Sequence, residues 1–383
     1  MLLPESINRK GVLRSMFRSL RLLLLTVLVS LSFPLLRCDA QKTAAQNGGG
    51  ETPMRVEVRL QNASQPSLKP TTTPKDVSEG TEETHPGSVS EGAEPWATPS
   101  PSPSPTPTPA PTPEPTPFSL YWVSDAQVYA YRYPKVYNKI FSFMANACEE
   151  QNAIGVLMTG DLVDNRTEQR HWDHAKAAIG LIRDKLPLWV VAGNHDVGAD
   201  KGDYSKFLSY GFCAAEEGDL LYKDGVCWYD TFTAAGEDFL LLGIGWQNNS
   251  DYLPWVKGVL ETYPDHTAIL LIHSFLTDKG GLTGTGKNLE KELLAHYPNL
   301  RLVLCGHNDG SARWQKEYED GHVVNALLYN FQDDKKNGLG YIRILTFDPE
   351  DRSLGVTTYS PWFDDYNYYK DETKDTFTLT SAW

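Results

Sequence analysis

Asp, Asn, Gln and His recur at four places in this chain: Ser124-Asp125-Ala126-Gln127, Gly160-Asp161-Leu162-Val163-Asp164-Asn165, Gly193-Asn194-His195-Asp196 and Gly306-His307-Asn308-Asp309. A lone His273 closes the apolar run Ala268–Ile272 between the third and fourth. These side chains are the oxygen and imidazole donors that hold divalent metals. Two cations about 3.5–4 Å apart lower the pKa of a bridging water and clamp phosphate oxygens during in-line attack, so the donors point to phosphoryl chemistry. A single Gly-Asp or Asn-His pair would read as turn chemistry or a cap. Four such motifs in this order read as a metal site.

Chemistry of this kind needs the motifs to converge, and the elements before them supply the means. Short apolar or β-rich runs at Phe118–Val123, Ala153–Met158, Pro187–Ala192, Thr267–Ile272 and Leu300–Leu304 each lead into a motif or into His273. Parallel strands of an α/β sheet end on one edge, so residues just past their carboxyl ends meet there. Helical spacing is expected over Tyr133–Gln151, Glu168–Asp184, Tyr252–Thr262 and Leu289–His296, with strands at Trp228–Thr233 and Phe239–Ile244. After Gly310 only strands follow, at Ala312–Tyr318, Val323–Tyr329, Tyr341–Phe347 and Gly355–Tyr359. Alternating strands and helices followed by a run of strands predict an α/β fold of two packed mixed β-sheets flanked by helices.

The rest of the chain reads differently. Arg9, Lys10, Arg14, Arg18 and Arg21 precede an apolar run from Leu22 to Leu36, with Ala40 at a small-residue cleavage position. That is the layout of a secretory signal, so residues 1–40 are expected to be a signal peptide or membrane anchor. The run is shorter than the ~20 residues of a spanning helix, and Arg37 makes lipid attachment at Cys38 a poor alternative. Residues 41–117 are rich in Pro, Thr and Ser and read as a disordered linker, a semi-rigid spacer that allows a cell-surface tether. The folded domain is then 118–383.

Residues 1–40 hold six basic and two acidic side chains, and residues 41–117 five and nine. Those nets cancel, so the whole charge of −14 falls on the folded domain. So acidic a domain is a poor partner for nucleic acid, which is bound through basic contacts to phosphate. Cys213 and Cys227 flank a Gly-containing acidic segment and are expected to pair if the protein is exported, whereas Cys148 and Cys305 read as buried, inert thiols.

With these residues in view, the chain resembles the calcineurin-like metallophosphoesterases over nearly all of Ser119–Pro361, chiefly through Gly-Asp-x-x-Asp-Asn followed by Gly-Asn-His-Asp. The resemblance implies a four-layer αββα metallophosphoesterase sandwich holding two divalent ions, Mn2+, Fe2+, Zn2+ or Mg2+. Asp161 would bridge them, with Asn194, His273 and His307 completing the second position. The first position would take Asp125, Gln127 and Asp309, where the family has Asp-x-His and the last His of Gly-His-x-His. Two imidazoles are thus replaced by an amide and a carboxylate, an all-oxygen set suited to hard ions and expected to bind more weakly. By the same resemblance His195 would stabilise the transferring phosphoryl group or protonate the leaving oxygen, Asp164 would orient a site residue, and Asn165 and Asn194 would touch the phosphate. Asp164 excludes the purple acid phosphatase branch, which places a Tyr ligand there.

The expected function is an exported, monomeric, metal-dependent hydrolase of small phosphate esters, with a metal-bridging hydroxide attacking phosphorus. It would work secreted or at the extracytoplasmic surface. The alternative, motivated by Gln127 and Asp309, is a degenerate phosphoesterase-like domain that binds a phosphorylated or glycan ligand without cleaving it. Three other features carry less. Gly281–Lys287 fits most of a phosphate-binding P-loop, but Asn288 stands where Ser or Thr must bind Mg2+, and a mobile Gly-rich loop is expected instead. His171 and His174, three apart on a helix, read as a solvated face. Tyr359, Trp362, Phe363, Tyr366, Tyr368 and Tyr369 read either as stacking surface or as packing over the sheet.

Overall fold

The computed structural model describes residues 115–199, 202–212, 221–247, 249–332 and 339–383. The expected signal or anchor and nearly all of the linker lie outside these residues, as does Cys213. Among the described residues no helix is long and apolar enough to cross a membrane.

Uninterrupted apolar runs become strands buried on both faces. β1 (Phe118–Val123) and β2 (Ala153–Met158) are buried at every residue and pair in parallel, and β2 pairs in parallel with β3 (Leu188–Val190). β11 (Ile342–Asp348) lies antiparallel on the other side of β1, followed by β12 (Ser353–Ser360) and, at the edge, β13 (Asp365–Tyr366) and β14 (Thr376–Leu379). The second sheet runs in the order β4 (Leu221–Tyr222), β5 (Cys227–Ala234), β6 (Glu237–Ile244), β7 (Thr267–Ile272), β8 (Leu300–Cys305), β10 (Val323–Asn330) and β9 (Gly310–Glu317). Its centre, β6–β7–β8–β10, is parallel.

The period of two along each strand sorts side chains into layers. Leu120 and Trp122 of β1 point with Ile269 and Leu271 of β7 into the core between the sheets. Tyr121 and Val123 face the helices Pro134–Ala147 and Gln169–Gly180, while Leu270 and Ile272 face the helix Leu253–Thr262. The result is the expected four-layer αββα sandwich of two mixed sheets. Gly155 on β2 makes room for the indole of Trp189 on β3: an added Cβ would stand 2.0 Å from it. Gly155→Ala is therefore expected to destabilise by about 2 kcal/mol or more through overpacking, read as a fall in the thermal midpoint.

Three expectations change. Gly284 opens a helix, Gly284–Leu289, which Thr283 caps by accepting the Gly286 N–H, and a π-helical turn continues it to Leu294. The Gly-rich segment is thus ordered helix and not a mobile loop, because the side-chain cap supplies what its glycines lack. His171 is buried, its Nδ1 accepting the Asn165 N–H, and His174 Nδ1 donates to the Ala130 carbonyl. The His171 ring ties its helix to the loop at Asn165, and the half-buried His174 ring ties the same helix to the helix Gln127–Arg132. Cys227 is a free, buried thiol that takes a hydrogen bond from the Gln247 amide in place of a disulfide. Cys148 and Cys305 are buried as expected.

Candidate metal centre and its cleft

The carboxyl edges of the two sheets deliver the motifs to one place. Asp125 follows β1, Asp161 follows β2, Asn194 follows β3, and His273 and His307 follow β7 and β8. Three of these turns are left-handed, with φ 50° at Asp125, 54° at Asp161 and 70° at His307. Asp and His tolerate that region better than most residues, and its concentration at one edge is characteristic of functional sites. Two motif glycines clear space for carboxylates. A Cβ on Gly193 would lie 2.2 Å from Asp161 Oδ1, and one on Gly306 2.1 Å from Asp125 Oδ2.

Asp161 is the hub. Its Oδ2 lies 3.2 Å from His273 Nε2 and accepts the Gln127 amide at 3.1 Å, while its Oδ1 accepts the His195 backbone N–H at 2.9 Å. Asn194 Oδ1 lies 3.1 Å from His273 Nε2. Donor atoms of Asp161, His273 and His307 all fall within 4.8 Å of one another. His273 Nδ1 donates to the Thr159 carbonyl at 2.7 Å, which fixes the tautomer so that Nε2 faces the cluster.

The electrostatics follow from crowding. Burial drives the Asp125 carboxyl up to about 7, with Asp161 adding to the rise. Burial opposes protonation of His273, but the adjacent Asp161 carboxylate outweighs it and lifts the imidazole to about 9. Burial and the neighbouring His273 hold His307 down at about 4. A cation held among them would take over the role of the proton between His273 and Asp161.

Asp161, Asn194, His273 and His307 together fit one divalent ion, with mixed nitrogen and oxygen donors suited to Mn2+, Fe2+ or Zn2+. The first position is less complete. Both Asp125 oxygens accept the His307 N–H, at 3.1 and 3.2 Å, and Ser124 donates to one of them. Gln127 gives its amide N–H to Asp161 and leaves a buried Oε1 without a partner, an acceptor that a cation would satisfy. Asp309 is exposed and is not one of the three residues, Asp161, His273 and His307, whose donor atoms cluster within 4.8 Å. After dialysis, metal analysis is expected to find about one ion retained per chain, with the second binding only at higher concentration; two tightly held ions would contradict this.

His195 faces a cleft of about 260 Å³ lined by Asp164, Asn165, Arg166, Asn194, Gly198 and Ala199. Its Nδ1 donates to Asp164 at 2.7 Å, and the acceptor is the main-chain carbonyl and not the carboxylate expected to orient a site residue. Burial opposes protonation of His195, yet Asp161 raises its pKa above the usual histidine value. Asn165 is exposed, and its Oδ1 closes its own turn by accepting from Thr167 N and Oγ1.

Three residues take roles that the sequence reading did not assign, the last of them from within a motif. Trp246, just past β6, packs its ring 5.2 Å from that of His307 and 5.7 Å from that of His273, walling one side of the site. No metal-ligand pattern contains a Trp, so only the edge position past an apolar strand pointed to it. Arg166, a cation in the cleft, is five residues past Asp161. Asp196, fully buried, accepts N–H groups from Leu162, Val163 and Gly193.

Residues 118–308 match the family model described as calcineurin-like phosphoesterase. The chain is similar to the uncharacterized protein YvnB of Bacillus subtilis (strain 168), 32% identical over 279 residues, covering 69% of this chain and 22% of that one. It thus spans about a fifth of that relative's length. Among solved structures it is similar to a purple acid phosphatase from yellow lupin (Lupinus luteus) seeds, with 12% identity, a TM-score of 0.49 and coverage of 70% of this chain and 55% of that one. A second is the Plasmodium anchor protein of the inner membrane complex, with 13% identity, a TM-score of 0.43 and coverage of 69% and 89%.

Proposed function

Through residues 118–308 this chain belongs to the calcineurin-like phosphoesterase family, and on that premise we propose that it is a metal-dependent hydrolase of small phosphate esters. The observation that carries the reading is Asp161, tied at once to Gln127, His273 and the His195 backbone, with His307 and Asn194 alongside. When bound, divalent ions supply Lewis-acid polarisation of the phosphoryl oxygens and a water of lowered pKa.

The chain's own groups do the rest. Asp161, Asn194, His273 and His307 would hold the cation, and Asp125 and Gln127 would flank a second, weaker position. Thr159 fixes the His273 ring through its carbonyl. With Nδ1 of His195 engaged by the Asp164 carbonyl, Nε2 is turned to the cleft. As the water oxygen bonds to phosphorus and the ester bond breaks, His195 passes its proton to the leaving oxygen. The basic residues from Arg9 to Arg21 followed by the apolar run Leu22 to Leu36 support an exported enzyme acting outside the cytoplasm.

The test is hydrolysis of aryl phosphate mono- and diesters by the full chain with added Mn2+. Turnover should vanish with EDTA, return with Mn2+, and fall about 10²–10⁴-fold in His195→Gln. Turnover indifferent to both chelator and His195 would reject the assignment.

A further inference from the structure

We infer that Arg166 is a specificity-determining residue that receives a second anionic group carried on the leaving group of the substrate. The inference rests on the hydrolase reading for the direction of the reaction, but its geometry stands on the cleft itself. With Nδ1 of His195 tied back to the Asp164 carbonyl, the Nε2 edge of the ring is the one left to meet a leaving oxygen inside the cleft. The leaving group therefore occupies the space of about 260 Å³ that runs from Asn194 and His195 to Gly198, Ala199 and Arg166.

Arg166 brings a permanent positive charge to the lining of that space, which also holds His195 and the Asp164 carboxylate. On a domain that carries the chain's entire charge of −14, a cation beside the reacting centre is against the electrostatic trend. Its position is fixed from two directions. The Arg166 carbonyl accepts the Trp172 indole N–H at 2.9 Å, and Nε lies so close to Gly198 that a Cβ there would come within 2.9 Å. Gly198 sits at φ 88°, a region most side chains avoid, and its bare face is what lets the guanidinium lie along the cleft.

One donor of that guanidinium is engaged: Nη1 meets Asp203 Oδ2 at 3.2 Å, with the two side chains 40% and 56% exposed. Exposed pairs of this kind are weak. A substrate oxyanion can displace or share the bond, and a planar fork of donors suits phosphate better than a single carboxylate contact. The substrate class is therefore phosphate esters whose leaving group bears its own anion, a second phosphate being the simplest case.

The experiment uses inorganic orthophosphate and pyrophosphate as probes of the full chain, with Mn2+ present throughout, and reads affinities by calorimetry. Pyrophosphate can fill the reacting position and reach Arg166 together; orthophosphate cannot. The wild-type preference for pyrophosphate should shrink about tenfold or more in Arg166→Ala, the loss expected for one charge-assisted contact. Asp203→Asn, which keeps the oxygen that caps Ser205 but removes the competing charge, should widen the preference severalfold. A preference that survives Arg166→Ala overturns the inference. Should Arg166→Ala fail to fold, Asp203→Asn decides alone, and an unchanged ratio there overturns it equally. If the ratio moves as expected while no ester is turned over, the hydrolase reading falls and the anion subsite stands. If esters turn over and the ratio is indifferent, the reverse holds.

Discussion

Asp161→Asn is expected to lower kcat/KM for an aryl phosphate by about 10³-fold or more in excess Mn2+, with the fold intact. The size of the loss follows from the hub position. Cation charge stabilisation in a closed site supplies several kcal/mol of barrier reduction, and each 1.36 kcal/mol is a factor of ten in rate. Removing the carboxylate also leaves His273 without the neighbour that raises its pKa and sets the ring beside the cation position. Asn is the informative choice because Asp161 sits at φ 54°. Asn adopts left-handed backbone readily, whereas Ala would add strain at the turn and confuse loss of chemistry with loss of structure. Asn also keeps one oxygen to accept the His195 N–H, now at 2.9 Å. The measurements are steady-state kinetics, circular dichroism and bound metal per chain. A variant that keeps a tenth of the activity would show that this carboxylate is not shared with a catalytic cation.

Much of this arrangement is legible in the sequence, for a physical reason. Strands buried on both faces must be largely apolar, so β1, β2 and β7 stand out as apolar or β-rich runs, and their boundaries agree with the residues observed. The ligand-type residues lie one to four positions beyond strand ends, where the parallel arrangement gathers them. What the sequence hides is pairing between distant segments. The terminal run of strands looks like one unit, yet Gly310–Glu317 and Val323–Asn330 complete one sheet while Ile342–Asp348 crosses over to lie beside β1 in the other. Hydrophobic period is the same in both, so nothing local separates them. Short helices escape as well: Gln127–Arg132 has too few turns for periodicity to register, although it is what buries Gln127 beside Asp161. The C-terminal aromatics divide between both expectations. Tyr368 stacks on Phe331 at 4.2 Å, and Tyr359 is buried, while Trp362, Phe363 and Tyr366 stay exposed.

Asp196 illustrates a residue inside a recognised motif whose work only the coordinates disclose. Its Oδ1 accepts the Leu162 N–H at 2.8 Å and the Val163 N–H at 3.1 Å, and its Oδ2 accepts the Gly193 N–H at 2.8 Å. It thereby clamps the turn carrying Asp161 to the turn carrying Asn194. Asp196→Ala would leave three donors in a buried place, each worth about 1–3 kcal/mol when unsatisfied. A compensating effect opposes this: burial has pushed the Asp196 carboxyl up to about 7, so its ionised form is itself disfavoured there, and removal relieves that strain. Water entering the vacated space would satisfy some of the donors. The balance favours a net loss of about 2–4 kcal/mol, because one relieved carboxyl does not offset three orphaned amides. For a domain of this size that corresponds to a thermal midpoint lower by roughly 4–16 °C. Metal affinity should fall with it, by about 10–100-fold, the usual range when groups that orient ligands are lost. Asp196→Asn separates the two effects, since it retains the oxygen serving Leu162 and Val163 but sets an amide against the Gly193 N–H. It should lie between wild type and Asp196→Ala in both midpoint and metal affinity. Equal midpoints for wild type and Asp196→Ala would mean that the two turns are held by their strands alone.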